Sequence, residues 1–201
     1  MKVLAIGAHP DDIEFGCGGT IVLYSKNKHQ SYFLVLTNGG KGGDPKLRRK
    51  EAIKSSKILG VKKIFFGDLI DTQVSYDIST ITVIEKVINK VKPDIILTSS
   101  AKEIHQDHCN TALSTFAAAR YIPTVLSYEL PSTQQNFLAQ YYIDISKSIE
   151  LKMKALKEHR SQMHKLYFST EAIFGLAKFR GNQIKTKFAE AFEVFRMTGK
   201  I

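Results

Sequence analysis

Residues 1–12 read Met1-Lys2-Val3-Leu4-Ala5-Ile6-Gly7-Ala8-His9-Pro10-Asp11-Asp12. Val3–Ile6 is an unbroken apolar run, the pattern of a strand covered on both faces. Gly7 ends it, and a polar turn follows in which Pro10 blocks simple continuation of strand pairing. Working outward, the same pattern recurs. Tyr32–Leu36 is stopped by Thr37-Asn38-Gly39-Gly40, Lys63–Phe66 is a third run and Asp94–Thr98 a fourth. Thr124–Ser127 and Gln140–Ile143 are shorter candidates. Between the runs lie helical patterns at Gly19–Ser25, Pro45–Leu59, Ser79–Val91 and Asn110–Tyr121. Gly60 supplies a C-terminal stop, Ser79 a cap and Pro93 a second stop. Ser146–Tyr167 reads as the longest helix, with Ile149, Met153, Leu156, Met163 and Tyr167 on one face. That stripe is read as core. Asn38–Gly43 and Ala172–Gly181 read as glycine-rich surface loops.

Strands alternating with helices predict an α/β fold, a mostly parallel sheet with helices on both faces. The chain has 201 residues, the size of one domain, and no internal repeat or linker divides 1–201. A domain that size can bury roughly 70% of its unfolded surface, so folding needs no disulfide or metal. Hydrophobic content of 43% and charged content of 24% argue against disorder. The apolar runs are far shorter than the roughly 20 residues of a membrane span. Met1–Gly7 lacks the layout of a secretory signal, and Cys17 and Cys109 are too few for a disulfide framework, so a cytoplasmic protein with free thiols is expected.

Net charge is +10, unevenly placed. Residues 1–146 hold 17 Lys+Arg against 14 Asp+Glu, and residues 147–201 hold 12 against 5. Such a basic quarter could attract nucleic acid, anionic lipid or a phosphorylated metabolite, or simply form a solvated face.

Two polar clusters carry chemistry: Gly7-Ala8-His9-Pro10-Asp11-Asp12 with Glu14, and His105-Gln106-Asp107-His108. Each follows a strand run, the first and the fourth. In the doubly wound order 3-2-1-4-5 those strands are neighbours, and their C-terminal ends flank the topological switch point. The clusters would then face each other across one crevice. Their residue types suit a divalent metal. A catalytic zinc takes three nitrogen or oxygen ligands and keeps a position for water, whose pKa it can lower to about 7. His9 and Asp12 bracket the turn, and one more histidine from the second cluster would complete the set. A spare carboxylate such as Asp11 could act as general base, and a spare histidine could protonate an amine or steady an oxyanion. The plainer alternative makes Asp11 and Asp12 helix N-terminal carboxylates. His29, His159 and His164 are read as surface or hydrogen-bonded residues.

Ala8-His9-Pro10-Asp11-Asp12-Ile13-Glu14-Phe15-Gly16, continuing to Gly18-Gly19-Thr20, resembles the signature of the PIG-L/LmbE-like zinc-dependent deacetylases. His105-Gln106-Asp107-His108 resembles that family's second motif, with Gln106 where many members have proline. Leu36–Gly39 with Arg48–Ala52, Ser127-Tyr128-Glu129, His159–Gln162 and Phe188–Phe192 resemble weaker landmarks along the rest of the chain. The resemblance implies a Rossmann-like three-layer fold and hydrolysis of an N-acetyl group on a glucosamine-containing small molecule. It implies Zn2+ held by His9, Asp12 and His108, Asp11 as general base, and His105 as oxyanion stabiliser or acid. Asp107 would orient a histidine, and Arg48 would contact substrate, with Arg49 one place away as the alternative. The basic last quarter would then form a lip for a phosphorylated or carboxylated aglycone. The resemblance gives Cys17 and Cys109 no role as ligands, and small buried thiols are expected there.

The expected partner is an N-acetylated amino sugar, with no nucleic acid and no membrane, and a homo-oligomer left open. Two rivals stand beside this reading. One is an amidase on a related sugar or thiol conjugate. The other is a non-catalytic nucleotide- or nucleic-acid-binding Rossmann module, motivated by the charge. Against the latter, the first β-α connection has no G-x-G-x-x-G, and two carboxylates there would repel a pyrophosphate.

Overall fold

The structure is a computed structural model that describes residues 1–199. A seven-stranded sheet runs through it in the order β3-β2-β1-β4-β5-β7-β6. The strands are β1 (Lys2–Gly7), β2 (Gln30–Thr37), β3 (Lys63–Leu69), β4 (Ile95–Ser99), β5 (Thr124–Tyr128), β6 (Tyr141–Asp144) and β7 (Ala189–Met197). The helices are α1 (Asp12–Lys26), α2 (Pro45–Ile58), α3 (Ile78–Val91), α4 (Gln106–Ala118), α5 (Ile149–Leu156) and α6 (Thr170–Gln183). β1 pairs in parallel with β2 on one side and β4 on the other, so the chain reverses its direction of travel across the sheet between them. β7 runs antiparallel to both β5 and β6. The sheet is thus mostly parallel, with the switch point where the strand pattern places it. Among the described residues no helix is long and apolar enough to cross a membrane.

Alternate residues of each central strand feed two separate cores. Val3, Ala5, Phe33, Val35 and Leu97 pack with Ile13, Ile21, Leu59, Met153 and Leu156 beneath α1, α2 and α5. Leu4, Ile6, Leu34, Leu36 and Ile96 pack with Ile84, Ile88 and Ala118 beneath α3 and α4. This two-sided burial is why β1, β2 and β4 appear in the sequence as unbroken apolar runs.

Several elements differ from the sequence expectation. The helix expected over Ser146–Tyr167 stops at Leu156 and is followed by a 3-10 turn at Arg160–Gln162. Ile149, Met153 and Leu156 are buried as expected, but Met163 and Tyr167 are exposed. Tertiary bonds hold the turn outside helical geometry. The buried His159 ring meets Glu14 at 3.2 Å, and Ser161 donates from N and Oγ to Glu51 at 2.9 and 2.6 Å. Ala172–Gly181, expected as a loop, lies within α6, which Ser169 caps by accepting from the Ala172 N–H at 3.1 Å. Gly181 is there for close packing, since a Cβ would sit 2.8 Å from the Thr186 carbonyl. β7 was not anticipated as a strand. The first helix begins at Asp12 instead of Gly19, kinks at Cys17, and carries the polar cluster in its first turn.

Gly16 shows how tightly this helix meets the sheet. A Cβ there would lie 2.0 Å from the Tyr128 ring, whose hydroxyl donates to the Ile6 carbonyl at 2.7 Å. Overpacking of this kind costs about 1–3 kcal/mol. Gly16→Ala is therefore expected to lower Tm by about 2–12 °C. An unchanged melt would show that α1 can slide away from Tyr128 without loss.

Candidate active site

Both polar clusters sit at the C-terminal ends of β1 and β4, which pair side by side. The first leaves β1 through a turn in which Asp11 takes a left-handed conformation, φ 107°. Asp11 is the N-cap residue of α1, yet its side chain makes no capping bond. The carboxylate is turned into the cleft. Asp12 turns toward His9 and His108 and accepts from the His9 N–H at 2.8 Å. The second cluster opens α4. His105 is its N-cap, with Nδ1 accepting from the Asp107 N–H at 3.2 Å.

These turns bring His9, Asp12 and His108 together. His9 Nδ1 and His108 Nε2 are 3.2 Å apart. Asp12 places Oδ1 3.3 Å from His108 Nε2 and Oδ2 3.6 Å from His9 Nδ1. The three groups offer ligand atoms within 4.8 Å of one another, and all three residues are buried. The outer nitrogen of each imidazole is engaged by carboxylates. His9 Nε2 lies 3.0 Å from both Asp107 Oδ2 and Asp71 Oδ1, and His108 Nδ1 lies 3.2 Å from Glu103 Oε2. Carboxylates on the outer nitrogens place the protons there. The inner nitrogens then present lone pairs to each other beside a carboxylate, an arrangement that a cation relieves. Two imidazoles and one carboxylate also make a donor set suited to zinc or another borderline divalent ion.

Without a cation, protons must do this work. Burial depresses the His9 pKa, but hydrogen bonds with Asp107, Asp12 and Asp71 overcome it and hold the ring well above its ordinary value. His108 is likewise carried up to about 9, against burial, by Asp12 and Glu103. Asp12 is held well below the usual carboxylate range, against burial, by His108 and His9. His105 moves the opposite way. Burial lowers its pKa, as do the charges on His108 and His9. His9, His105 and Asp107 form a second group of suitable donors. There, however, Asp107 is already held by the Thr72 and Val74 N–H groups at 2.8 and 3.2 Å and faces the outer nitrogen of His9.

Burial pushes the Asp11 carboxyl up to about 6, against the pull of Arg48 and His159. Arg48 Nη2 donates to the Pro10 carbonyl at 2.8 Å and lies 3.4 Å from Asp11 Oδ1, while Nη1 donates to the Gly39 carbonyl at 2.9 Å. Arg48 is thus a buried clamp on the turn that carries Asp11 and on the Gly39 loop. Only its Nε, buried at the cleft wall, has no partner. Gly39 permits this clamp, with φ +65° and a Cβ position only 2.0 Å from Nη1. Arg49 turns away, stacking over Phe66 at 3.8 Å and pairing with Asp68. Between Arg48 and Arg49, Arg48 is the arginine at the cleft.

The cleft has a volume of about 640 Å³, and His9, Asp11, Asp12, Arg48, His105 and His108 all line it. Asp107 lies beneath His9, fully buried. Four further residues stand out only in three dimensions. Asp71 follows β3 and accepts from the Lys41 N–H at 2.7 Å. Its position past a strand's C-terminal end is the one signal that could have marked it. Glu103 is fixed by Ser132 and Thr133 from a distant loop. Tyr167 donates from its hydroxyl to Asp11 Oδ2 at 3.4 Å. Lys41 lines the mouth. From the basic last quarter, Lys165 lines the cleft. Cys17 is buried in the core, and Cys109 donates to the Glu103 carbonyl at 2.9 Å, so both thiols lie outside the ligand group.

A family model described as PIG-L, GlcNAc-PI de-N-acetylase, matches residues 4–119, which span both clusters. The chain belongs to the PIG-L family. Among relatives, an uncharacterized deacetylase of Escherichia coli (strain K12), YaiS, is 33% identical over 167 residues, 79% of this chain and 90% of that protein. The diacetylchitobiose deacetylase of Thermococcus kodakarensis is 33% identical over 186 residues, 80% of this chain and 70% of that protein. Among solved structures, the N,N'-diacetylchitobiose deacetylase of Pyrococcus horikoshii superimposes with a TM-score of 0.85 at 26% identity, covering 96% of this chain and 83% of that one. Family membership gives the site its class of chemistry: PIG-L proteins of this kind are named as deacetylases, hydrolases of amide bonds.

Proposed function

We propose that this chain is a zinc-dependent N-deacetylase that removes the acetyl group from an N-acetylglucosaminyl-type small molecule. The observation that carries the reading is the convergence of His9, Asp12 and His108 on one point beside the Asp11 carboxylate, in a chain of this family. His9, Asp12 and His108 would hold the zinc. Bound there, it would supply a Lewis acid that brings the pKa of a water to about 7.

The chain's own groups do the rest. Asp11 is the general base. It accepts the proton of the water that attacks the acetyl carbonyl carbon, and its raised pKa suits a group that must take a proton and later release it. Arg48 and Tyr167 grip its two oxygens and fix their direction. His105 keeps its proton on Nε2, because Nδ1 is occupied by the Asp107 N–H. That donor steadies the carbonyl oxygen as it gains charge, then protonates the leaving nitrogen as the C–N bond breaks. Asp107 and Asp71 lock His9 in one tautomer, and Glu103 does the same for His108. The products are acetate and the free amino sugar.

The test is direct. Protein stripped with a chelator should be inactive. Zinc at about one equivalent per chain should restore acetate release from N-acetylglucosaminides such as diacetylchitobiose. Absence of acetate release across such substrates, with zinc or another divalent metal bound, would overturn the reading.

A further inference from the structure

We propose that the cavity adjoining the catalytic cleft is a subsite for an apolar group carried by the substrate, so that this enzyme prefers N-acylglucosaminyl compounds with a short alkyl or aromatic appendage; this rests on the deacetylase reading above. The cavity has a volume of about 340 Å³, within the range of small-molecule sites. It lies directly beside the cleft, since Phe15, Leu130, Pro131 and Tyr167 line both. Tyr167 is the divider. Its hydroxyl reaches Asp11 on the cleft side, and its ring packs edge-on against Phe15 with centroids 5.8 Å apart. The segment leading into α6 serves both spaces with successive side chains, Lys165 toward the cleft, Leu166 toward the second cavity, and Tyr167 between.

The chemistry of the second cavity selects its occupant. Leu166, Ile173 and Leu176 line its mouth and side. Leu166 is 100% exposed and Leu176 36% exposed, so apolar surface faces water beside an apolar hollow. The polar side chains in the same wall are already bound to each other. Arg180 grips Glu129 through two bonds, of 2.9 and 2.7 Å. Lys152 donates to Glu190 at 2.7 Å and to the Phe15 carbonyl at 2.6 Å, and Glu190 accepts from the Gly19 and Thr20 N–H groups. Thr133 is held between the Leu130 N–H and Glu103. A second sugar would have to place its hydroxyls among polar groups that are already engaged, whereas an alkyl or aryl group asks nothing of them. The appendage could be the aglycone or a longer N-acyl chain, since both attach to the ring that the cleft holds.

Binding by calorimetry on metal-free protein reads this without turnover, and acetate release is followed separately on zinc-loaded protein. Hexyl N-acetylglucosaminide should bind about tenfold or more tighter than the methyl glycoside if the aglycone enters the cavity, given the free energy of burying several methylenes. N-hexanoylglucosamine should show the same gain over N-acetylglucosamine if the acyl chain enters it. Leu176→Glu and Leu166→Glu, both at exposed positions, should abolish the gain while leaving binding of the methyl glycoside unchanged. Equal affinity for short and long compounds in both series would overturn the proposal, as would a gain that survives in both variants. If the methyl glycoside binds but zinc-loaded protein releases no acetate from it, the deacetylase reading fails, while a hexyl gain lost in the variants still establishes the apolar site.

Discussion

Replacing Asp11 with Asn is expected to lower kcat by about 10²–10⁴ while leaving zinc content at that of the unaltered protein. The argument starts from geometry. Asp11 lies next to Asp12 in sequence, but its carboxylate sits against Arg48 and Tyr167, outside the group of ligand atoms formed by His9, Asp12 and His108. Asn is the right replacement because the backbone there has φ 107°, a region that Asn tolerates better than most residues. An amide oxygen can still accept from Arg48, so the clamp on Pro10 and Gly39 survives. What disappears is a group able to take up a proton. Steady-state kinetics with metal analysis on the same sample gives the answer. Near-normal turnover in a zinc-loaded Asp11→Asn protein would remove Asp11 from its role, and loss of the metal would make it a ligand.

How much of this was legible in the sequence follows from which groups share an element. His9, Asp11 and Asp12 occupy one turn, and His105, Asp107 and His108 another, so each set appears as a dense polar cluster after an apolar run. The strand order then brings the clusters together, and it follows from general rules for α/β sheets. Asp71, Glu103 and Tyr167 are different. Each is a single polar residue in an irregular segment, and its meaning comes from a partner far away, such as the 156 positions that separate Tyr167 from Asp11. Local pattern has no access to such pairings.

The α/β architecture follows from the strand and helix pattern, and the few elements that depart from it do so for similar reasons. β7 contains Glu190 and Glu193 within its apolar pattern, which hides a strand whose first glutamate is buried against Lys152 and the kinked turn of α1. Gly175 and Gly181 made α6 look like a loop, although its Ser169 cap was present in the sequence. The long helix expected after Ser146 has a genuine apolar stripe as far as Leu156. Beyond it the bonds from His159 to Glu14 and from Ser161 to Glu51 win over helical periodicity, because a buried unpaired carboxylate costs more than a lost helical turn.

Asp12→Asn should have the opposite effect to Asp11→Asn. The fold is expected to persist and the metal to be lost. The side-chain oxygen of Asn can still accept from the His9 N–H, the bond that shapes the turn. The negative charge between the two imidazoles, however, disappears. That charge does two things in the metal-free chain. It sustains the raised pKa values of His9 and His108, and it supplies the one anionic ligand in the set. Losing a partner that merely orients a ligand typically weakens metal affinity by 10–100-fold. Removing the anionic ligand itself should exceed that, so zinc content after dialysis should fall from about one per chain to near zero, and activity with it. The variant should also need a lower pH to protonate His9 and His108, since the neighbouring carboxylate that favours their charged forms is gone. NMR titration of the histidine ring protons in metal-free protein separates this effect from unfolding. Full zinc occupancy in Asp12→Asn would mean that the ion sits elsewhere, with the group of His9, His105 and Asp107 as the place to look.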